Sequence, residues 1–510
     1  MKTQTRLFLF FLLSCFAFLP SLSAEQRELN AGFHDNWSII SSFSHTRLQQ
    51  GKEGFLDIEL EYSRYEPDST ATDILLHFEK MPFSDSAGKY SVTSPGTSSL
   101  VRQGRIGESA VFFPPDSGGI ILKPRESVSR HGAAQLFQPG RLWKDFTIEF
   151  WLQPKYLEGG ETILRWNGQR ETPDGVQQQL LKCFVQDRRI VWYFNNFFLH
   201  PDSRPASYSF TGQTNLVPGK WSHHLLRFDA DTGMLEYQLN GTPESIMYIT
   251  SDSSPGSTVL LPYIGKRSSS QFTLAEDYAG MMDEFRFSSI FVEQPLFQRH
   301  PIEGGEVIFG PIPLEELGSE ILSIDLDTDE PPGSSIFSYY RTADRRYDFA
   351  LEDPQWIPFS PGESFDPEPS GSYLQIKCVL YPDGTGMMGP KISHLKVRYR
   401  PNLPPPAPVG FMAVPGDGKV KLSWKLVNQQ DLGGYLIFYG LSSGVYRGQD
   451  SDKGPSPIDV GLSTEFELTS LKNGTLYFFT VAAYDTQGVE HRGNLSRELS
   501  ARPSAYYGEE

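Results

Sequence analysis

Apolar and polar residues alternate with a period of two through most of this chain, and the alternating runs end in turn signals. Phe146 to Pro154 reads FTIEFWLQP, and Trp221 to Asp229 reads WSHHLLRFD. The turn Asp231-Thr232-Gly233 leads into MLEYQLNG, which closes on the hairpin signal Asn240-Gly241. Tyr278 to Phe291 reads YAGMMDEFRFSSIF. DILLHFE (73–79), GRIGESAVFF (104–113), ETILRW (161–166), LLKCFVQ (180–186) and RIVWYF (189–194) supply further strands. Short strands at this density predict a two-sheet sandwich over residues 73–296. ILSIDLD, SIFSYYRTA, SYLQIKCVLYPDG and ISHLKVRYR predict a second β-sandwich over 297–402, of unassigned family. Upstream, a leader (25–72) holds one clear strand, FLDIELEY. Its Leu56, Ile58, Leu60 and Tyr62 fall on one face, and Asp57, Glu59 and Glu61 on the other. That strand is expected to pair with the sandwich that follows it or to cover one of its edges. The fold class is all-β, a multidomain set of β-sandwiches.

The series hFE, D.SG, FTIEFWL, W.H….D..TG, YqLNG and G.mDEfRf covers about 220 residues in order, by the numbering of the sequence. It resembles the laminin-G-like, concanavalin A-like jelly roll. That resemblance implies structural roles for Trp151 and Trp221, a structural calcium near Asp283 and Asp85, and a binding role for the domain. Pro401 to Pro408, PNLPPPAP, reads as a stiff extended linker. Beyond it, residues 403–503 resemble a fibronectin type III domain. Trp424 matches its core tryptophan, and Leu471 and Tyr477 match its leucine and tyrosine-corner positions. Members of that family act as spacers or protein-contact modules. Residues 504–510 are a short tail.

Charge narrows the partners. A net charge of −17 over 510 residues argues against nucleic acid, which needs a basic surface. Lys2 and Arg6, the apolar run Leu7 to Pro20 and the small residues before Glu25 read as a signal peptide over 1–24, cut near Ala24. The apolar run continues past Cys15, which argues against a lipid anchor there. No second run is long enough to be a transmembrane segment. The expected location is the periplasm, the cell surface or the medium. Cys183 and Cys378 sit in apolar strands of different modules and are expected to be buried free thiols. An exported chain without cystines fits a bacterial envelope.

Candidate chemistry is sparse. Trp192, Tyr193, Phe194, Phe197 and Phe198 form the densest aromatic cluster. Tyr193 and Trp192 would stack on a sugar ring while Asn195, Asn196 and Arg165 fix its hydroxyls. Core packing is the simpler account. Asp57, Glu59 and Glu61 resemble the paired carboxylates of glucanases, but the leading Glu of that pattern is missing and a solvated strand face explains them. Asp325, Asp327 and Asp329 begin like a calcium loop but lack its glycine and its closing Glu. His223 and His224 are adjacent on a strand and so face opposite ways. No phosphate loop, zinc spacing or nucleophile elbow occurs. The sequence therefore predicts a non-catalytic recognition protein that binds a glycan or an envelope or extracellular protein and requires no cofactor. A concanavalin A-like glycoside hydrolase or lyase, or a structural part of an envelope assembly, is the alternative.

Overall fold

The computed structural model describes residues 26–505 apart from 52–53, 95, 126–134, 173–174, 269–270 and 352–353. The expected signal peptide and Cys15 lie outside the described residues. The described chain is built from strands, with two short 3-10 turns and no α-helix. None of its helices is long and apolar enough to cross a membrane.

The jelly roll is two sheets of eight strands each. One sheet runs in the order Thr242–Tyr248, Met234–Leu239, Ser222–Phe228, Phe146–Pro154, Gly280–Ser288, Ala110–Phe113, Ser99–Val101, with Thr72–Leu76 also paired to Gly280–Ser288. The other is centred on Gly175–Gln186, flanked by Arg189–Leu199 and Thr162–Thr172. Alternate residues of each sheet point into one core. Phe146, Ile148, Phe150 and Leu152 meet Trp166, Leu181, Cys183 and Trp192 there, each fully out of solvent. Each such side chain contributes roughly 1.5–3 kcal/mol of transfer free energy.

Two strands break the period of two. In Gly280–Ser288 both Met282 and Phe285 reach the core, three residues apart. The register shift opposite Glu149 and Trp151, with Glu284 left-handed at φ 46°, absorbs the extra residue as a bulge. In Arg189–Leu199 the same happens between Phe194 and Phe197, with Asn196 at φ 50°. Asparagine tolerates that conformation through local hydrogen bonding.

The leader does not pair with the jelly roll. Arg27–Gly32 pairs with Lys391–Arg400, and Leu56–Leu60 pairs with both Lys391–Arg400 and Thr46–Gln50. Ile40–Ser44 pairs with Gly305–Pro313 in the facing sheet. Ala31, Trp37, Ile58 and Leu60 share one core with Phe309, Ile324, Ile376 and Val397. The expected leader and the expected module at 297–402 are thus two parts of one sandwich, and the jelly roll is inserted between them. The cause is the apolar face of Leu56–Leu60: Ile58 and Leu60 are fully buried, and the sandwich core is what buries them. The insertion points touch, because the Ser63 amide donates to the Arg299 carbonyl at 2.8 Å.

The last module packs a three-stranded sheet on a four-stranded sheet. Trp424, Leu471 and Tyr477 are all in its core. The Tyr477 hydroxyl accepts the Lys472 amide at 3.1 Å and donates to Asp450 at 3.2 Å. The proline-rich linker carries no strand, and Asn402 within it bonds to Leu317 on one side and Asp485 on the other.

Candidate functional site

One face of the jelly roll is closed. Thr147, Glu149 and Trp151 point out of the core, yet each is at most 3% exposed. The chain entering and leaving the inserted domain covers them. Tyr65 donates its phenol to Glu149 at 2.6 Å and accepts the Leu296 amide at 2.6 Å. Arg286 forms an ion pair with Glu149 and lies 3.6 Å over the Tyr65 ring. His223 lies 3.3 Å from Glu149, against Trp151 and Phe297. Burial alone would raise the Glu149 carboxyl, but His223, Arg286 and Tyr65 outweigh it and hold the group below its usual range. These side chains are committed to one another and not to a ligand.

Where this cover meets the split sandwich a cleft of about 450 Å³ opens. Arg47 comes from Thr46–Gln50, Tyr62 and Arg64 from the entering chain, and His77, Glu79 and Lys80 from the stretch after Thr72–Leu76. Glu108 and Glu284 complete the lining. The bulge in Gly280–Ser288 re-aims Glu284 toward His77, whose Nδ1 lies 2.8 and 2.9 Å from its two carboxylate oxygens. Arg47 lies 3.3 Å from Glu108 and 3.8 Å over the Tyr62 ring. The stem of Glu79 is exposed, but its carboxyl head turns into the loop and accepts the Glu108 amide at 3.0 Å. Desolvation there, reinforced by Glu284 and Glu108, raises it to about 7. Gly107, at φ 73°, permits the close approach: a Cβ there would lie 1.7 Å from the Glu79 oxygen. The cleft thus offers donors, acceptors and one carboxyl near its midpoint at neutral pH.

The residues expected to hold a sugar do not converge. Trp192 is a correction: it points into the core and is fully buried, because its strand phase puts 190, 192 and 194 inward. Tyr193 is 36% exposed on the opposite face, across from Lys182 and Ser209. Asn195 and Asn196 both donate to the Gln178 carbonyl and so brace the second bulge. Arg165 pairs with Glu276 at 2.6 Å. Asp85 accepts four backbone amides, from Leu75, Ala87, Lys89 and Tyr90. Asp283 accepts those of Arg105, Ile106 and Glu284. Among the described residues no group of three or more His, Cys, Asp or Glu is placed to hold a metal ion. Trp221 is half-buried. His224 faces inward between Phe150 and Tyr237. Cys183 and Cys378 are buried free thiols, both pushed up in pKa by burial, Cys378 to about 12. The cleft residues went unseen because they come from positions 47, 62–64, 77–80, 108 and 284, and no local spacing joins them.

Residues 131–294 match the family model of the concanavalin A-like lectin/glucanases superfamily, laminin G type, and form a concanavalin A-like domain. No curated protein matches the chain. Among the solved structures to which the chain is similar are three at low identity. Domain 4 of AbnA, a GH43 extracellular arabinanase from Geobacillus stearothermophilus in complex with arabinotriose, is 15% identical, covering 44% of this chain and 95% of its own, at a TM-score of 0.28. The CBM40 of Ruminococcus gnavus IT-sialidase, bound to alpha2,3 sialyllactose, is 9% identical over 36% of this chain and 91% of its own, at 0.24. The botulinum neurotoxin serotype G binding domain is 12% identical over 83% and 87%, at 0.30.

Proposed function

We propose that the concanavalin A-like domain of this chain recognises a glycan without cleaving it, and that the ligand enters the cleft beside His77 and Glu284. In this reading the protein is exported to the periplasm, the surface or the medium, and the module at 403–503 is a fibronectin type III spacer. The observation that carries the reading is the convergence of His77, Glu284, Glu79 and Arg47 on a cavity of about 450 Å³ where the split sandwich meets the jelly roll, whose residues 131–294 match the lectin/glucanase superfamily. That size suits a short oligosaccharide or a chain end, and paired acceptors and donors suit vicinal hydroxyls. The closed face speaks for the same site, since Glu149 and Trp151 are covered.

A glycan microarray probed with the full chain, followed by titration calorimetry on the hits, tests this. Glu284→Gln and His77→Ala are expected to weaken binding about tenfold or more, since each removes a partner of a charged hydrogen bond. Unchanged affinity in both variants, or no glycan bound, would refute it.

One observation favours a second reading. Glu79 near pKa 7, close to the Glu284 charge, is the arrangement a glycosidase uses for its acid and its second carboxylate. Sugar release from a polysaccharide panel, abolished by Glu79→Gln, would establish hydrolysis in place of passive binding.

A further inference from the structure

The inward face of the jelly roll turns polar at one end. Between the strands Thr162–Thr172 and Gly175–Gln186, successive facing pairs are Trp166 with Leu181, Gly168 with Gln179, and Arg170 with Gln177. The Gln179 amide is fully used: it donates to the Asn196 and Tyr263 carbonyls and accepts the Gly265 amide, each at 2.8 Å. The last pair is not. Arg170 is 4% exposed, yet it is bonded through Nη2 alone, to the Ser203 carbonyl at 2.8 Å. Its Nε and Nη1, and the Oε1 of Gln177 opposite, are buried and make no hydrogen bond. The carboxylates beside it are taken, Glu171 by Arg267 and Asp202 of the covering turn by Arg204, each at 2.6 Å. Arg170 therefore has no counter-charge among the described residues. A buried cation and a buried amide oxygen left unpaired both carry a desolvation penalty that a bound group would relieve. The turn over them, residues 201–204, is exposed, and Ser203 sits in it at φ 67°, a conformation serine seldom adopts.

We propose that Arg170 and Gln177 form a binding site for the terminal carboxylate of a peptide, and that the Ser203 carbonyl holds the place of a ligand oxygen until the peptide displaces it. The site shares no residue with the cleft lining and does not depend on glycan binding there. The guanidinium gives charge-assisted hydrogen bonds to a carboxylate. The Gln177 oxygen needs a donor beside that anion. A peptide end brings both, because its last amide N–H adjoins its carboxylate. A sulfate ester has oxygens and no donor, and a neutral sugar has no charge. The exposed turn lifts to admit the peptide, which gives up one hydrogen bond and releases Ser203 from its left-handed conformation.

Titration calorimetry on the full chain tests this with four probes: N-acetyl-dialanine with its carboxylate free, the same peptide as its C-terminal amide, propionate, and sodium sulfate. The free acid is expected to bind at least about tenfold tighter than the amide, the scale of one hydrogen bond to a charged group. It should also bind tighter than propionate, which lacks the N–H, and tighter than sulfate. Arg170→Met should remove the preference for acid over amide. Gln177→Leu should bring the acid down to the level of propionate, since only the acid has a donor for that oxygen. Should Arg170→Met not fold, the order of acid, amide and propionate in the unaltered chain and its change in Gln177→Leu decide. Equal binding of acid and amide, or a preference for the acid that survives Arg170→Met, overturns the site. Sulfate bound as tightly as the acid overturns the peptide as its occupant.

Discussion

At the scale of single residues, the phase of a strand decides what a side chain can do. His224 shows how tightly the core reads that phase. It sits between Ser222 and Tyr237, with ring nitrogens 2.8 and 2.9 Å from their hydroxyls. Burial, with His223 adding a smaller push, lowers its pKa to about 3. An unfolded histidine titrates near 6.5, so acid protonates the unfolded chain first. The stabilisation is complete above about pH 6.5 and is lost as pH falls toward the folded value. Between pH 7.5 and 5 the native protein should lose about 2 kcal/mol that His224→Gln does not, at about 1.4 kcal/mol per pH unit over 1.5 units. Denaturant unfolding of both proteins at the two pH values measures this, and parallel losses would exclude His224 as the titrating group. That His223 and His224 face opposite ways was legible in WSHHLLRFD because that strand is regular, whereas which of them points inward was not. Trp192 was misplaced as a ligand residue for a different reason. A one-in-two pattern says which residues share a face but not which face is inside. The bulge that follows then brings Phe197 back into the core and blurs the signal.

At the scale of elements, strands were legible and their partners were not. FTIEFWLQP announced itself, but nothing in the local pattern told what lies over its outward residues Glu149 and Trp151. Only the structure shows the two connecting segments laid across them. That cover makes a testable demand on Tyr65. Tyr65→Phe keeps the ring beneath Arg286 but removes a donor to buried Glu149 and an acceptor for the Leu296 amide. Leaving such groups unpaired costs about 1–3 kcal/mol. For a domain of this length that is a fall in Tm of roughly 2–4 °C per kcal/mol. Calorimetry of the variant would read it, and an unaltered Tm would mean that the segment only lies on the sheet. The bulge at Glu284 belongs to this scale too. It left a trace in the sequence, two core residues spaced by three in GMMDEFRF, but the trace has meaning only once Met282 and Phe285 are known to be buried together.

At the scale of the whole chain, the division into modules follows from contacts that span most of its length. Arg27–Gly32 lies against Lys391–Arg400, and Trp37 packs on Phe309. No window of the sequence joins them, so the leader read as a separate piece. The arrangement predicts which fragments fold. Residues 300–402 alone lack Ile58, Leu60, Trp37 and Ala31 from their core, and also lack the strands that flank Lys391–Arg400. They should be insoluble or molten. Residues 26–62 joined to 300–402 by a short Gly/Ser bridge should fold, because the Ser63 amide already reaches the Arg299 carbonyl at 2.8 Å and little closure entropy remains. Residues 66–296 should fold on their own around an intact core, although their covered sheet then loses its partners from outside the insertion. Denaturant unfolding followed by circular dichroism distinguishes the three fragments. A cooperative transition from 300–402 alone would contradict the split sandwich. Failure of the bridged fragment would mean that the inserted jelly roll itself holds the two parts together.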